Sequence, residues 1–289
     1  MKKKYKIAFS GLAQNCSKSL PNFFTFLNEI DDDFKKIYLL IGENDSKDNT
    51  LEILKNYKNK KITKKIINTS FMMQYTHRLE KMAKGRNYIS KLLKKLKLDY
   101  IIWLDLDEVL KNGINRNEFL NSIKILKKRN DLFGVSAISY PYYYDILSLR
   151  IEGYFMKNIY YISKIRNILT GYILRKKYIY NVQKKINKLE KLSISSFNGM
   201  CIYKFKYYKH SKYVKFNKSN KESREKVEHV TFNEIIYKKF KKYILINKNL
   251  ILSMPSQHSP YSNFFSFLFG KIYYLLKAFK IFPKFASFS

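Results

Sequence analysis

The stretch "YIIWLDLDEVL" (100–110) ends a strongly apolar run in three carboxylates, Asp105, Asp107 and Glu108. An unpaired carboxylate taken out of water costs several kcal/mol, so either the run ends in solvent or something positive meets the acids. In an ideal strand Asp105 and Asp107 point to opposite faces, but a turn at the strand exit lets both reach one ion. Hard divalent cations such as Mg²⁺ or Mn²⁺ take oxygen ligands and commonly bridge one or two carboxylates to phosphates. Held there, such an ion neutralises a diphosphate leaving group. The plain alternative is a solvated loop whose acids cap the next helix.

Other stretches carry chemistry of a compatible kind. In "IGENDSKDNT" (41–50), Glu43 and Asp45 can accept hydrogen bonds from ribose hydroxyls or a base imide. Ser46, Asp48 and Thr50 can tie the turn and cap the following helix. Arg86, in "MAKGRNYI" (82–89), can pair with phosphate or with the strand-end acids, and His77 and Arg78 lie just upstream. Asp145 and Arg150 follow the aromatic run "YPYYY", where tyrosine faces suit sugar rings and charged groups grip hydroxyls. Asn198 and Gly199 in "FNGM" offer a turn at which backbone can approach a donor closely. His258, in "PSQHSPYS", is a late histidine that can approach a metal or diphosphate.

The elements that must position these residues alternate between strand and helix. Strands are expected at 5–12, 35–45 and 63–70, and a fourth with its exit in "DYIIWLDLDEVL" (99–110), with helices at 17–30, in "DSKDNTLEILKNYKN" (45–59), at 80–97 and at 118–128. Residues 131–150 hold a further strand and a turn, 192–208 a loop leading into a strand, 220–239 a polar loop and a helix, and 243–255 a late strand. Such repeats favour parallel strands with right-handed crossovers, and ligands bind at the carboxyl ends of those strands. Gly11, Glu43 and Asp105 fall at such ends, so three separated segments converge on one crevice.

The 289 residues are 46% hydrophobic, enough for a sizeable core. Two distant cysteines, Cys16 and Cys201, make neither a disulfide framework nor a zinc site. The basic N-terminal run is too short for a signal peptide, and no window reaches the roughly 18–20 apolar residues of a spanning helix. The expected location is the cytoplasm, peripheral to the inner membrane face. The formal charge of +35, from 57 basic and 22 acidic residues, has three readings: a lysine-rich composition, an anionic membrane surface, or nucleic acid. No nucleic-acid fold motif accompanies it. The basic, aromatic segment 259–289 is expected to form a C-terminal helical extension that lies on a membrane surface or docks on the domain formed by 1–258.

The order "IAFSGLAQN", "ENDSKDNT", "AKGRNYI", "YIIWLDLDEV" resembles the nucleotide-sugar half of GT-A glycosyltransferases of the inverting, family-2-like kind. The later stretches "PYYYDILSLR" (141–150), "SSFNGMCIYK" (195–204) and "EHVTFN" (228–233) look like motifs of capsule-associated mannosyltransferases and their bacterial relatives. The resemblance runs from about residue 5 to 235. It implies a GT-A (Rossmann-like) nucleotide-diphospho-sugar transferase fold, with a mixed central sheet flanked by helices. It places Glu43 against the nucleoside, matches Ser46, Asp48 and Thr50 to a conserved-type turn, Arg86 and Asn87 to a helix motif, and Asp105 with Asp107 to a metal motif binding Mn²⁺ or Mg²⁺. Where such enzymes have two successive Asp, this chain has Glu43 and Asn44. Where they have a carboxylate pair that includes the base, it has Glu228–His229. His229 then stands as a third metal ligand or a diphosphate contact, and Glu228 or Asp145 as the base that deprotonates the acceptor hydroxyl.

The expected activity is transfer of a hexose from a UDP- or GDP-linked donor to a glycan or lipid-linked acceptor, with an anionic membrane surface as a further partner and no nucleic acid. Two other classes compete. A metal-dependent nucleotidyltransferase also ends strands in paired acids, but "SGLAQNCSKS" supplies no clear phosphate loop. A non-catalytic basic membrane- or nucleic-acid-binding protein would make the acids incidental.

Overall fold

The computed structural model describes residues 5–151, 180–188, 191–214 and 227–258. Segment 259–289, for which a membrane-surface helix is expected, lies outside them. Eight strands form one mixed sheet in the order β3-β2-β1-β4-β7-β5-β8-β6. β1 (Lys6–Ala13), β2 (Lys36–Glu43), β3 (Ile62–Asn68) and β4 (Tyr100–Leu104) are mutually parallel. β7 (Met200–Lys204) runs antiparallel between β4 and β5 (Leu132–Tyr140). β8 (Tyr243–Ser253) is parallel to β5, and short β6 (Lys191–Ser193) closes the far edge antiparallel to β8. The expected mixed α/β architecture is therefore present.

Side-chain alternation along the strands divides the core into two layers. Ile7, Phe9 and Ile102 face α1 (Leu20–Ile30) and α4 (Arg116–Lys128), burying Phe23, Leu27, Phe119 and Ile123. Ala8, Ile101 and Trp103 face the other way, against Ala83, Ile89 and Leu93 of α3 (Arg78–Leu93). The same layer takes Tyr208, from the single turn α6 (Phe205–Tyr208), and Phe232 and Ile236 of α7 (Glu228–Phe240). Trp103 is fully buried, and its indole N–H donates to the Tyr208 hydroxyl at 2.7 Å, so its polar atom is satisfied. Two further helices, α2 (Thr50–Asn56) and α5 (Tyr180–Asn187), complete the helical set of the described residues. None of those helices is long and apolar enough to cross a membrane.

The strand boundaries shift the role of Gly11. It lies inside β1, not at its end, and a Cβ built on it would stand 2.4 Å from the Leu104 carbonyl oxygen and 3.1 Å from Leu106. Gly11 thus lets β1 and the end of β4 approach closely. Gly11→Ala should destabilise the fold by roughly 1–3 kcal/mol, because rigid backbone must move. Gly85→Ala should cost less, since a Cβ there meets the flexible Met72 thioether first and helix propensity improves. Chemical denaturation of the two variants checks this ordering.

Candidate functional site

The carboxyl ends of β1, β2 and β4 open on the same side of the sheet, and the loops that leave them are tied together. After β2, the Glu43 carboxylate accepts the Ser46 N–H at 2.8 Å. The Ser46 hydroxyl accepts the Asn15 N–H, and Asp48 accepts the Ser17 N–H at 3.1 Å while receiving both the N–H and hydroxyl of Thr50. Thr50 in turn accepts the Cys16 N–H at 2.7 Å. The turn at 44–50 and the β1 exit therefore form one stitched unit. Ser46, Asp48 and Thr50 tie this turn as expected, although α2 begins after Asn49 without a side-chain cap. Asp45 adopts a left-handed backbone (φ 49°) and accepts the Ser70 hydroxyl at 2.5 Å, joining this unit to the turn after β3. Burial alone would raise the Asp48 pKa, but the Ser17 and Thr50 donors outweigh it and hold the carboxyl at about 2.

At the end of β4 the strand pairing continues for one residue, with the Asp105 N–H donating to the Gly199 carbonyl at 2.8 Å. Asn198 (φ 47°) and Gly199 (φ 84°) make the facing turn left-handed. A Cβ on Gly199 would lie 3.0 Å from the Tyr144 hydroxyl, and that hydroxyl donates to Asp105 Oδ2 at 3.1 Å. Asn198 Oδ1 accepts the Asp145 N–H at 3.2 Å. The close approach permitted by "FNGM" is thus used by Tyr144, and Asn198 fixes the segment that carries Asp145. Asp107 accepts the Val109 N–H at 3.2 Å and caps the short turn at 108–110. Glu108 is taken up outside the crevice by the backbone and hydroxyl of Ser256.

Arg86 is the positive group that meets the acids. It is 5% exposed on α3, and its two terminal nitrogens contact Glu228 and, at 3.3 Å, Asp105 Oδ1. Its guanidinium lies over the rings of Phe197 (5.4 Å), Trp103 (5.9 Å) and Tyr213 (6.0 Å). Burial would lower its pKa, but Glu228 and Asp105 more than compensate and raise it. Glu228 is itself buried, 142 residues away in sequence. Its carboxylate is taken up by the Arg86 guanidinium.

Asp145 is different. Burial, opposed by a Ser148 hydrogen bond and reinforced by nearby Glu228, raises its pKa. Burial also raises Asp105, to about 7, with the Arg86 charge only partly offsetting it and Asp107 and Asp145 adding to the rise. Asp107 is raised by burial as well. Glu228, Asp105 and Asp145 thus act on one guanidinium, with Asp107 close to Asp105, in a protein where basic residues outnumber acidic ones 57 to 22.

The two histidines have different surroundings. His229 stacks on Phe197 at 3.7 Å, sits edge-on to Tyr213 at 5.6 Å and is buried. Burial first, then Arg86, drives its pKa far down, so it is neutral and belongs to the aromatic wall around Arg86. Among the described residues no three His, Cys, Asp or Glu side chains form a ready metal cage, and the contacts of His229, expected as a third metal ligand or a diphosphate contact, are with the rings of Phe197 and Tyr213. His258 lies nearer the acids: its ring stacks on Tyr144 at 4.9 Å, and burial lowers its pKa, with Asp107 opposing and Arg78 adding to the fall. Asp105 and Asp107, with His258 at the rim, fit an oxygen-preferring ion that keeps waters and completes its shell with phosphate.

The residues missed from sequence are Tyr144 as a direct partner of Asp105, and the box of Phe197, Trp103 and Tyr213. Tyr144 closes the run "YPYYY", which reads as a sugar-stacking run and not as a partner of Asp105. Arg150, expected near a sugar, instead donates to the carbonyls of Leu147 and Leu149 and pairs with Ser195 across an isolated bridge.

Neither a family model nor a curated protein sequence matches this chain. Several solved structures have a similar course at low identity. S. aureus TarS (residues 1–349) aligns with 12% identity and a TM-score of 0.46, over 89% of this chain and 61% of that one. The mannosyltransferase PcManGT from Pyrobaculum calidifontis, in complex with GDP-Man and Mn²⁺, aligns with 10% identity and a TM-score of 0.47, over 88% and 57%. Glucosyl-3-phosphoglycerate synthase from Mycobacterium tuberculosis, in complex with Mn²⁺, UDP and glucosyl-3-phosphoglycerate, gives 9% and 0.41, over 87% and 70%. The chain spans about three-fifths of the length of the TarS fragment.

Two outcomes follow from the geometry. Glu228→Ala leaves the buried Arg86 short of a counter-charge and should destabilise the protein by roughly 3–5 kcal/mol, with Glu228→Gln intermediate, in urea denaturation. Asp48 has a folded pKa below its unfolded value, so its stabilisation is full above about pH 4 and is lost as pH falls toward 2. The stability gap between wild type and Asp48→Asn should therefore be constant near neutrality and shrink below about pH 4.

Proposed function

We propose that this chain is a metal-dependent glycosyltransferase of the GT-A kind, moving a hexose from a nucleotide-diphosphate sugar to a hydroxyl of a glycan or lipid-linked acceptor. The observation that carries the reading is the acid cluster at the end of β4, held around buried Arg86 at the rim where the nucleoside-type turn of 43–50 also opens. The narrower likeness to capsule-associated mannosyltransferases rests on the motifs at 141–150, 195–204 and 228–233 alone.

In this reading Glu43 and Asp45 hold the nucleoside end of the donor. Asp105 and Asp107 would hold Mn²⁺ or Mg²⁺, with His258 beside them. The ion, when bound, supplies positive charge to the diphosphate as the sugar's C1–O bond breaks. Arg86 and Tyr144 fix the two oxygens of the Asp105 carboxylate from opposite sides, so the ligand presented to the ion does not rotate. Asp145 is the base: its raised pKa suits it to take the acceptor hydroxyl's proton at a carboxylate oxygen as that hydroxyl attacks C1. Glu228 acts through Arg86 and is a positioning residue.

Incubation with a panel of UDP- and GDP-linked hexoses and Mn²⁺, followed by measurement of nucleotide release, tests the proposal. One donor should be turned over, and Asp105→Ala or Asp107→Ala should lower the rate by at least about 10²-fold. Turnover of no donor, or variants as active as the parent, would sink it. Mn²⁺ should also raise the Tm of the wild type and leave that of Asp105→Asn/Asp107→Asn unchanged in a thermal-shift titration.

A further inference from the structure

α3 has two working faces. Its inner face carries Ala83, Gly85, Arg86, Ile89 and Leu93 into the core and toward the acid cluster. Its outer face carries Lys81, Lys84, Tyr88 and Lys91, spaced at the three- and four-residue intervals that align side chains on a helix, and exposed Lys95 follows in the next turn. Glu80 is the one acid in the helix.

This stripe is more than a row of solvated charges, because apolar groups stand open within it. Tyr88 is 47% exposed and Met73, in the turn before α3, is 55% exposed. Phe71 packs edge-on against Tyr88 at 5.4 Å, extending the apolar surface. The lysines lie along these groups: the Lys81 ammonium is 3.7 Å from the Met73 sulfur, and Lys84 sits 5.2 Å from the Tyr75 ring centroid. Exposed apolar tips interleaved with lysines, whose long stems let the charge reach headgroups while the tips enter the apolar boundary, suit an interfacial surface.

We infer that this outer face of α3, with the turn at Ser70–Gln74, is a docking surface for an anionic lipid bilayer. Lysines meet the headgroup charge, while Met73, Phe71 and Tyr88 enter the headgroup–acyl boundary. The apolar tips favour lipid over nucleic acid, whose phosphates reward the charges but offer exposed Met73 no apolar layer. Arg86 projects from the same helix, so the docked crevice would stand about one helix diameter, roughly 10 Å, from the lipid. The inference is independent of the donor or acceptor used by the site.

Flotation of the full chain with phosphatidylcholine vesicles, with and without phosphatidylglycerol, tests it, folding of each variant being verified by circular dichroism. Wild type should float only with the anionic vesicles. Lys81→Glu/Lys84→Glu should weaken that binding by about tenfold or more, and Met73→Ser/Tyr88→Ser should weaken it with no change of charge. Lys58→Glu/Lys60→Glu, the same charge change near the other end of β3, should leave it within about twofold. Equal losses in the two glutamate pairs, or no loss in the serine pair, would overturn the docking face. So would tighter binding of single-stranded RNA than of anionic vesicles that the same α3 variants abolish, which would assign the face to nucleic acid.

Discussion

The buried guanidinium of Arg86 is the constraint on which the site depends. A cation removed from water among Phe197, Trp103 and Tyr213 is stable only with carboxylates against it. Two arrive from opposite directions, Asp105 from the end of a central strand and Glu228 from the first turn of α7. Arg86 therefore couples α3, β4 and α7. The Asn198–Gly199 turn, bonded to the Asp105 backbone and contacting the Tyr144 hydroxyl, couples β7 and the segment after β5 to the same carboxylate.

Arg86 does not neutralise the site. Asp105, Asp107, Asp145 and Glu228 exceed it in charge, and burial raises the pKa of the three aspartates. In the proposed function a bound cation would balance that excess of acid at the open ends of the parallel strands. One helix connects the crevice with the basic and apolar outer surface, so chemistry and docking would share a rigid element.

Much of the fold was legible because hydrophobic period and strand–helix alternation are local signals. "KKIYLLIGEND" contains β2 and "TKKIINTS" nearly all of β3, and the apolar lead-in to Asp105 is β4 itself. The turn at 43–50 was legible for the same reason, since Ser, Asp and Thr bond to backbone within a few residues. What was not legible depends on long-range packing. Glu228 and His229 are neighbours in sequence and suggested a base and a metal ligand. α7 instead directs one to Arg86 and the other to Phe197, which no local pattern specifies. Gly11 similarly looked like a strand end because the register of β1 with β2, which continues to Ala13, depends on the partner strand.

The central claim is that the acids around Arg86 bind a divalent cation together with a nucleoside diphosphate. Anomalous diffraction from crystals soaked with Mn²⁺ and either UDP or GDP tests it most directly. The account predicts an anomalous peak at roughly 2.0–2.6 Å from carboxylate oxygens of Asp105 and Asp107, with the diphosphate on the ion and the base toward Glu43. A peak absent from these carboxylates, or a nucleotide bound away from the ends of β2 and β4, would contradict it.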